Sequence, residues 1–356
     1  MWILVEKICH FRHGEEVKIL HVILTHDMGG SERYAAELAT LQANAGHSVR
    51  VLVRPQVQGK GIRTLLHQPV QVAELGRWFQ TWHLRKHVQH FAPDVIHAHL
   101  GKAARLVGRA GFKVPTVATL HLNYQAKNYS KLGGLIRMAE WQAADMQSYA
   151  GLSTTIGGWS QPLRPVTDAE KVSFRQAHHI PITATLVGAV GRLHPYKGFD
   201  TLINVFAQSA PATAHLVLVG EGDDRARLQA LIAASPAAKR IHLAGFVADM
   251  AVVYRAMDVM VSASHSEAFG LTLVEGMFGG CPIIATATQG ACAVLAGQPA
   301  TLVPVGDAAA LGAALAEALA NGTPKRVKYP LDAFLADKQA QKVEAFYKKV
   351  IKATIE

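Results

Sequence analysis

Cysteines and long apolar runs are scarce in this sequence of 356 residues. The three cysteines, Cys9, Cys281 and Cys292, form no C-x-x-C pair and no disulfide framework. No apolar run reaches about 18 residues, which argues against a membrane-spanning helix. The apolar start of the chain is interrupted at Glu6 and Lys7, and no cleavage-site pattern follows, so no signal peptide is predicted. These absences predict a protein of a reduced, cytoplasmic compartment.

Two common phosphate-binding signatures are missing as well. The chain contains no G-x-x-x-x-G-K-S/T run, which a Walker loop requires. Gly188 and Gly191 lack the G-x-G-x-x-G spacing of a dinucleotide fingerprint. The sequence therefore predicts neither of these two sites.

Acidic residues are scarce in the first part of the chain. The formal net charge is +10, and residues 1–160 carry 18 lysines and arginines against 10 acidic residues, while the others carry 18 against 16. The positive electric field of this excess attracts anionic partners, such as nucleic acid, phospholipid headgroups or a phosphorylated glycolipid. The alternative is a basic surface without function. No module of stacking aromatic and basic residues is visible, so nucleic acid is not predicted as a partner.

Strand-like apolar segments alternate with helix-like segments along the chain. This alternation predicts parallel sheets covered by helices on both faces. Two successive sets predict two Rossmann-like, doubly wound α/β domains facing each other across a cleft. The predicted strands are residues 17–25, 48–53, 70–75, 94–100 and 115–122 in the first set, and 184–190, 215–220, 241–245, 259–264, 282–286 and 300–304 in the second. Predicted helices include residues 31–44, 81–91 and about 335–352.

A segment rich in glycine and proline, residues 157–165, marks the predicted boundary between the domains. We expect an N-terminal domain over residues 1–163, a C-terminal domain over 164–329 and a last helical segment over 330–356.

Three motifs follow predicted strands and are candidates for ligand binding. Gly29 and Gly30 follow the first strand, where glycines let the backbone approach a ligand and a helix start attracts anions. A tight strand-to-helix turn is the alternative for this motif. Arg192 and Lys197 follow the first strand of the second domain, and two such cations can stabilise a departing diphosphate. Two solvated loop cations are the alternative there.

The third motif is S-E-A-F-G-L-T-L-V-E-G, residues 266–276. Glu267 is predicted in a loop and Glu275 about two turns into a helix. Carboxylates form paired hydrogen bonds with vicinal hydroxyls of a sugar or ribose. Backbone N–H groups of Phe269, Gly270 and Leu271, at the helix start, are candidates to hold phosphate or sugar oxygens.

Three histidines near strand ends are candidate metal ligands. His97 and His99 share one face of a predicted strand because they are two residues apart. With His121 they offer imidazoles, but no carboxylate or cysteine lies at a suitable spacing, so no metal is predicted. His121 lies at the carboxyl end of its strand and is expected to face the cleft. Most other histidines are expected at the surface or at strand ends.

Taken together, these motifs resemble those of the retaining GT-B glycosyltransferases of family 4, also called glycosyl transferases group 1. The E-x7-E pattern of that family matches Glu267 to Glu275, and its G-R-L-x-x-x-K-G pattern matches Gly191 to Gly198. Supporting matches are the glycine loop at residues 29–30, D-V-I-H-x-H at 94–99, T-x-H at 119–121, G-E-G at 220–222 and G-F-V at 245–247.

The resemblance implies a GT-B fold and a hexosyltransferase of class EC 2.4. The donor would be a nucleotide-diphosphate sugar, with UDP- or GDP-sugars favoured, and no cofactor or metal would be needed. The transfer would retain the configuration of the anomeric carbon, because the acceptor hydroxyl attacks the face from which the nucleotide leaves. Arg192 and Lys197 would stabilise the charge that grows on the leaving diphosphate.

The resemblance also implies roles for single residues of the second domain. Arg192 and Lys197 would bind the diphosphate, and Glu275 would bind the ribose. Glu267 would hold the donor sugar. Backbone groups would complete the donor site: those of Phe269, Gly270 and Leu271 near the sugar, and those of Phe246 and Val247 near the base.

In the first domain, the resemblance assigns His121 to the transferred sugar, where it would contact the sugar or stabilise charge near the anomeric carbon. Gly29 and Gly30 would approach the diphosphate and the acceptor. The last helix would cross back to this domain. The predicted catalytic residues are therefore His121, Arg192, Lys197 and Glu267.

Acceptors bind the first domain in this family, and here that domain is basic. A lipid-linked or phosphorylated saccharide at an anionic membrane face suits this charge, which predicts cell-envelope polysaccharide or lipopolysaccharide assembly at the inner face of the cytoplasmic membrane. The predicted acceptor contacts are Arg105, Arg109, Lys113, Lys127 and Lys131. The alternatives are a sugar-nucleotide epimerase of the same fold and a non-enzymatic nucleotide-sugar or nucleic-acid binder.

The sequence departs from the family pattern at three places, of which G-G-S-E-R at residues 29–33, close to the common G-G-A-E-R form, is a minor change. No Asn-Gly step occurs between Ser160 and Pro181, where the family often has one in the linker. The family often has G-G-x-x-E after the strand at residues 282–286, whereas this chain has Q-G-A-C-A-V at 289–294, with one glycine and no glutamate.

Overall fold

The computed structural model describes residues 16–25, 29–55 and 61–355. The chain divides into two compact units, between Gly158 and Trp159 and again between Leu335 and Ala336. Unit 1 comprises the described residues up to Gly158 together with those from Ala336 onward, and unit 2 runs from Trp159 to Leu335. The sequence placed the two divisions at residues 163 and 329. Cys9 lies outside the described residues.

Unit 1 contains a seven-stranded parallel sheet with the strand order β3-β2-β1-β4-β5-β6-β7. The order reverses between β1 and β4, so the connections that leave these two strands diverge and open a crevice at their carboxyl ends. The strands are β1 Lys18–Ile23, β2 Ser48–Val53, β3 Gln71–Glu74, β4 Val95–His99, β5 Thr116–Leu120, β6 Gly134–Arg137 and β7 Leu152–Thr155. The helices that follow them in the chain are α1 Gly30–Asn44, α2 Gln80–Phe91, α3 Leu100–Ala110 and α4 Ala126–Tyr129.

Unit 2 contains a six-stranded parallel sheet with the order β10-β9-β8-β11-β12-β13. Its strands are β8 Thr185–Val190, β9 Ala214–Val219, β10 Ile241–Gly245, β11 Val259–Ser262, β12 Ile283–Thr286 and β13 Thr301–Val303. Its helices are α5 Asp168–Ala177, α6 Phe199–Ser209, α7 Arg225–Ala234, α8 Met250–Ala256, α9 Leu271–Gly279, α10 Gln289–Leu295 and α11 Ala308–Leu319. Leu216, Leu218 and Val259 of the strands pack in one core with Leu202 and Phe206 of α6.

The last helix, α12 Ala336–Ile355, belongs to unit 1. Val343, Phe346 and Val350 form its buried face. A Cβ on Gly134, the first residue of β6, would lie 2.7 Å from Val350 Cγ2, so only glycine lets α12 pack this closely on the sheet.

The eleven strands predicted from the sequence are confirmed to within two residues at each end. The sequence missed β6 and β7, which have four residues each. Strand β6 starts with glycine and three of the four residues of β7 are polar, so neither shows the apolar run that identified the others. Both exist because they extend the ladder that starts at β5. Among the described residues, none of the helices has the length and hydropathy needed to cross a bilayer.

Candidate active site

The strand order of unit 2 brings two of the predicted motifs together. β8 and β11 are neighbours at the point where the order reverses. The loop with Arg192 and Lys197 leaves β8, and the loop with Glu267 leaves β11. Loops at such a point form the crevice in which α/β sheets bind ligands.

Lys197 and Glu267 form an ion pair in this crevice. Lys197 Nζ donates a hydrogen bond to Glu267 Oε1, and Ser264 Oγ donates to the same oxygen at 3.0 Å. Each of the paired side chains is only 11% exposed. Water therefore screens the pair weakly, and the carboxylate is held in one orientation by two donors.

The backbone around Lys197 is packed too closely for side chains. Gly198 has φ +64, and a Cβ there would lie 2.0 Å from the carbonyl oxygen of Ala263. A Cβ on Gly191 would lie 3.2 Å from Lys197 Cε. The two glycines of the G-R-L-x-x-x-K-G motif thus allow the β8 loop to lie against β11 and the lysine to cross the loop.

Arg192 differs from Lys197 in its surroundings. Its side chain is exposed, and among the described residues no hydrogen bond or ion pair to its guanidinium is found. The crevice therefore offers one cation that is already paired with a carboxylate and one that is available to an anionic ligand.

Glu275 lies in α9, on the segment that follows the Glu267 loop. The hydroxyl of Tyr254, from α8, donates to Glu275 Oε2 at 2.6 Å. Tyr254 is fully buried, whereas Glu275 is partly exposed. The tyrosine therefore orients a carboxylate that a ligand can still reach.

The start of α9 supplies backbone donors beside Glu267. Gly270 has φ +92 and precedes the first helical residue, Leu271, and the first N–H groups of a helix have no partner inside it. Phe269, just before it, is buried. Helix α10 holds the loop that contains Glu267, because Gly290 N–H donates to the Glu267 carbonyl at 3.0 Å.

Phe246 and Val247 follow β10, the edge strand of this sheet. The ring of Phe246 is 75% exposed, while Val247 is partly buried. An exposed ring at the carboxyl end of a strand is available for stacking against a planar ligand group.

In unit 1, Gly29 and Gly30 lie where α1 begins, after β1 and residues 26–28, which are outside the described part of the chain. Both are exposed, and the Gly29 carbonyl accepts a hydrogen bond from Arg33 N–H at 3.1 Å. They therefore flank the crevice between β1 and β4.

Four histidines form a connected row across the unit 1 sheet: His21 in β1, His97 and His99 in β4, and His121 after β5. His21 Nδ1 lies 2.9 Å from His99 Nε2, and His99 Nδ1 lies 3.4 Å from His121 Nε2. The first three are fully buried and His121 nearly so. The sequence singled out His97, His99 and His121 but not His21, and it did not predict that these four histidines are buried together.

Burial keeps these imidazoles neutral. It lowers the pKa of His21 from 6.5 to about 4, although a hydrogen bond to Gln42 opposes the shift. It lowers the pKa of His121 to about 3 and that of His97 and His99 well below the ordinary value. At neutral pH the His121 imidazole is therefore uncharged and offers hydrogen bonds and a dipole to a ligand, but no positive charge.

The ring nitrogens of His21, His97 and His99 lie within 4.8 Å of one another, and they form the single group of metal-ligand type in the described residues. Both nitrogens of His97 are already bonded, to Tyr347 OH at 2.6 Å and to Thr119 Oγ1 at 2.8 Å. A divalent ion would break such bonds and would add charge to a buried site without a carboxylate. The donor set fits a hydrogen-bond network better than a metal.

The five cations predicted to contact an acceptor lie on α3 and α4 and in the short segments that follow these helices. Arg105 and Arg109 lie on α3, Lys113 in the turn before β5, Lys127 on α4 and Lys131 just after it. Because α3 starts at the carboxyl end of β4, its last turn lies toward the amino ends of the strands. Arg109, Lys113 and Lys131 are therefore placed away from the edge that holds His121, and the structure does not bring the five together with it.

Comparison with known proteins identifies the family. The model for glycosyl transferases group 1 matches residues 184–321, and the model for Glycosyltransferase Family 4 matches residues 28–152. Between them the two models cover most of the chain. The chain belongs to the group 1 glycosyltransferases. The predicted family and enzyme class are thereby confirmed, and the donors of this glycosyltransferase are nucleotide sugars.

Curated relatives cover nearly the whole glycosyltransferase. A lipopolysaccharide core biosynthesis glycosyltransferase of Rhizobium meliloti, LpsE, is 24% identical over 337 residues, which are 89% of this chain and 90% of the relative. A GDP-mannose-dependent alpha-mannosyltransferase of Mycobacterium tuberculosis is 28% identical over 359 residues, 90% of this chain and 91% of the relative.

The fold is shared with solved glycosyltransferases. The crystal structure of HepE from Anabaena, in complex with UDP and glucose, superposes with a TM-score of 0.72 at 23% identity and covers 95% of this chain and 97% of HepE. The predicted GT-B fold, with two parallel-sheet α/β units, is confirmed.

Proposed function

We propose that this glycosyltransferase transfers a hexose from a UDP- or GDP-sugar to a saccharide or lipid-linked acceptor, with retention at the anomeric carbon and without a metal ion. The observation that carries the proposal is the crevice between β8 and β11, with the Lys197–Glu267 pair and the unpaired Arg192. Family membership favours this activity over the epimerase and the binding-protein alternatives.

The diphosphate would be bound by Arg192 and Lys197. The bond from the anomeric carbon to the diphosphate oxygen breaks as the bond to the acceptor oxygen forms on the same face. Negative charge then grows on the diphosphate, and these two cations stabilise it where a metal ion would otherwise be needed. The acceptor hydroxyl proton passes to the departing phosphate oxygen, which is the nearest base on that face.

The sugar and ribose would be held by the two glutamates. Glu267 is fixed by Lys197 and Ser264, so one of its oxygens remains for a sugar hydroxyl, and the N–H groups of Gly270 and Leu271 lie beside it. Glu275 is oriented by Tyr254 toward ribose hydroxyls. Phe246 and Val247 would meet the base, and His121 would contact the transferred sugar.

The acceptor is proposed to be a cell-envelope saccharide, and the reaction to take place at the inner face of the cytoplasmic membrane. Two curated relatives, LpsE and LpsD of Rhizobium meliloti, are named as lipopolysaccharide core biosynthesis enzymes. The excess of basic residues in the first 160 positions suits a phosphorylated or lipid-linked acceptor.

The test is turnover with a panel of UDP- and GDP-sugars and a truncated lipopolysaccharide core as acceptor. We expect one donor to be used, EDTA to have no effect, and the anomeric configuration of the product, read by NMR, to match that of the donor. Arg192→Ala should weaken binding of the nucleoside diphosphate by about tenfold to a hundredfold. Lys239→Ala, an exposed cation of the same unit, should not. An inverted product, or loss of activity with EDTA, would contradict the proposal.

A further inference from the structure

Three exposed aromatic side chains lie at the start of α2 in unit 1. Trp78 is 79% exposed, Phe79 83% and Trp82 52%. They follow β3, the edge strand, at its carboxyl end. The inner face of α2 packs in the core through Leu84 and Val88, so the aromatic residues are not needed there. Exposed aromatic groups of this size mark an interaction surface.

The surroundings of these rings are cationic. Residues 75–93 contain three lysines and arginines and no acidic residue. Lys86 Nζ lies 3.8 Å from the centre of the Trp82 ring, and Arg77 is exposed beside Trp78. We call Arg77, Trp78, Phe79, Trp82 and Lys86 the α2 patch.

We propose that the α2 patch docks this glycosyltransferase on an anionic lipid bilayer. Tryptophan and phenylalanine insert at the boundary between headgroups and acyl chains, and lysine and arginine are attracted by anionic headgroups. A neutral saccharide would use the rings but would leave the positive charge without a partner, so the combination favours the bilayer. The inference deepens the proposed function, since it rests on an acceptor that is reached at a membrane.

Vesicle flotation of the full chain tests this surface. Wild type should bind vesicles of phosphatidylcholine mixed with phosphatidylglycerol, and pure phosphatidylcholine should bind it less. The W78A/F79S/W82A variant should lose about tenfold in affinity for each ring removed. Lys86→Glu should lose about fivefold or more and reduce the salt dependence. The control Ile182→Ala removes an exposed apolar side chain of unit 2 and should bind like wild type.

Each outcome is decisive. Unchanged binding of the triple variant, or equal binding to neutral and anionic vesicles, overturns the proposal. Quenching of tryptophan fluorescence by oligosaccharide without vesicle binding would assign the patch to a saccharide instead. Release of nucleoside diphosphate from the donor, measured without vesicles, should stay normal in the triple variant. If the wild-type protein released no nucleoside diphosphate from any donor, this would count against the proposed function instead.

The hydrogen bonds of the histidine row have a defined direction, and they do not involve the α2 patch. Gln42 Oε1, from α1, lies 2.8 Å from His21 Nε2, and an amide oxygen only accepts, so His21 Nε2 carries the proton. A neutral imidazole has one N–H, so His21 Nδ1 accepts from His99 Nε2. By the same rule His99 Nδ1 accepts from His121 Nε2. His121 Nδ1 is then left as an acceptor.

The bond made by the Gln42 amide nitrogen is consistent with this assignment of donors and acceptors. Its Nε2 donates to the Tyr347 hydroxyl of α12 at 3.3 Å. That hydroxyl donates to His97 Nδ1, and His97 Nε2 donates to Thr119 Oγ1. One orientation of the Gln42 amide thus gives each of these hydrogen bonds one donor and one acceptor.

We infer that Gln42, His21 and His99 are positioning residues that present His121 Nδ1 as an acceptor to a hydroxyl of the donor sugar. The inference rests on the proposed function of His121. If the Gln42 amide were rotated so that its nitrogen faced His21, each hydrogen bond from His21 to His121 would run in the opposite direction and His121 Nδ1 would become a donor. The positions of the Gln42 amide oxygen and nitrogen therefore decide which hydrogen bond the sugar can form.

Nitrogen NMR of the histidine-labelled full chain reads the protonated ring nitrogen directly. We expect Nε2–H at His21, His99 and His121, and Nδ1–H at His121 would overturn the inference. Gln42→Leu should give mixed protonation at His121 and lower kcat about fivefold with an unchanged donor KM, and Gln42→Glu should restore the acceptor. His215→Gln, which removes a ring-to-ring bond in unit 2, should change neither.

A Gln42→Leu variant with normal kcat would also overturn the inference. The NMR result does not depend on turnover. A chain that shows the expected protonation but uses no donor would therefore contradict the proposed function and not the network.

Discussion

The ammonium group of Lys197 donates a hydrogen bond to Glu267, seventy residues later in the chain, and both side chains are 11% exposed. One carboxylate and one cation of the candidate site thus hold each other in place. Their mutual attraction offsets part of the cost of removing both charges from water, so removing one partner leaves that cost uncompensated.

Breaking this pair should destabilise unit 2. Lys197→Met leaves a nearly buried carboxylate without its cation and should cost about 3 kcal/mol in the free energy of unfolding. The double variant K197M/E267Q should lose less than the sum of the single changes. Urea-induced unfolding of the full chain measures these values. Arg63→Met, which breaks the exposed pair with Glu74, should cost at most about 1 kcal/mol, and an equal cost for Lys197→Met would contradict the burial argument.

Glu275 should act on the ribose of the donor. Glu275→Gln should weaken binding of a ribonucleoside diphosphate about tenfold and binding of its 2′-deoxy analogue less, because a hydroxyl partner is already missing there. Tyr254→Phe, which removes the 2.6 Å bond to Glu275, should have a smaller effect in the same direction. Calorimetric titration with both nucleotides checks this, and equal losses for the two would argue against the ribose role.

Gly290 should be intolerant of any side chain. A Cβ there would lie 2.6 Å from the Glu267 carbonyl oxygen and 2.7 Å from the Phe269 nitrogen, so the loop must move. Gly290→Ala should cost about 1–3 kcal/mol in stability and weaken donor binding. The neighbouring Gln289→Ala, an exposed position on the same helix, is the control and should be neutral. Thermal unfolding and nucleotide titration measure both effects.

Stability should fall as the solution is acidified through the histidine range. The pKa of His21 is about 4 in the folded chain and 6.5 ordinarily, because burial disfavours its cation. Between these two values the unfolded chain binds one more proton at His21 than the folded chain. As the pH is lowered from about 6.5 to about 4, the free energy of unfolding therefore decreases by on the order of 3 kcal/mol for this group. Above about pH 6.5 its contribution is constant.

Urea unfolding over this pH series measures the effect. His21→Gln should lower the slope of the unfolding free energy against pH by close to the contribution of one bound proton, while Gln289→Ala, an exposed change that removes no titratable group, should leave the slope as it is. An unchanged slope in the first variant would contradict the assignment to His21.

Sequence pattern identified the sheets because their strands are buried on both faces. The apolar runs of β8, β9 and β11 are visible without any partner, and so are the glycines and charges that follow them. β6 was missed because its four residues include a glycine that is required by α12, more than two hundred positions away.

The motifs of the donor site were also visible, but their contacts were not. Glu267 and Glu275 were found by spacing alone, whereas Tyr254 and Ser264 carry no motif. They matter because the fold brings α8 and the end of β11 against the two carboxylates.

The amino-acid sequence by itself determined the fold class, the family and the chemical groups of the candidate site, because local apolar runs and short motifs carry that information. Only the tertiary structure decided that Lys197 is paired and Arg192 is not, that four histidines form one buried row, and that the rings of Trp78, Phe79 and Trp82 stay exposed. The physical reason is that burial and pairing depend on contacts between segments that are far apart in the sequence, and a local sequence pattern does not specify those contacts.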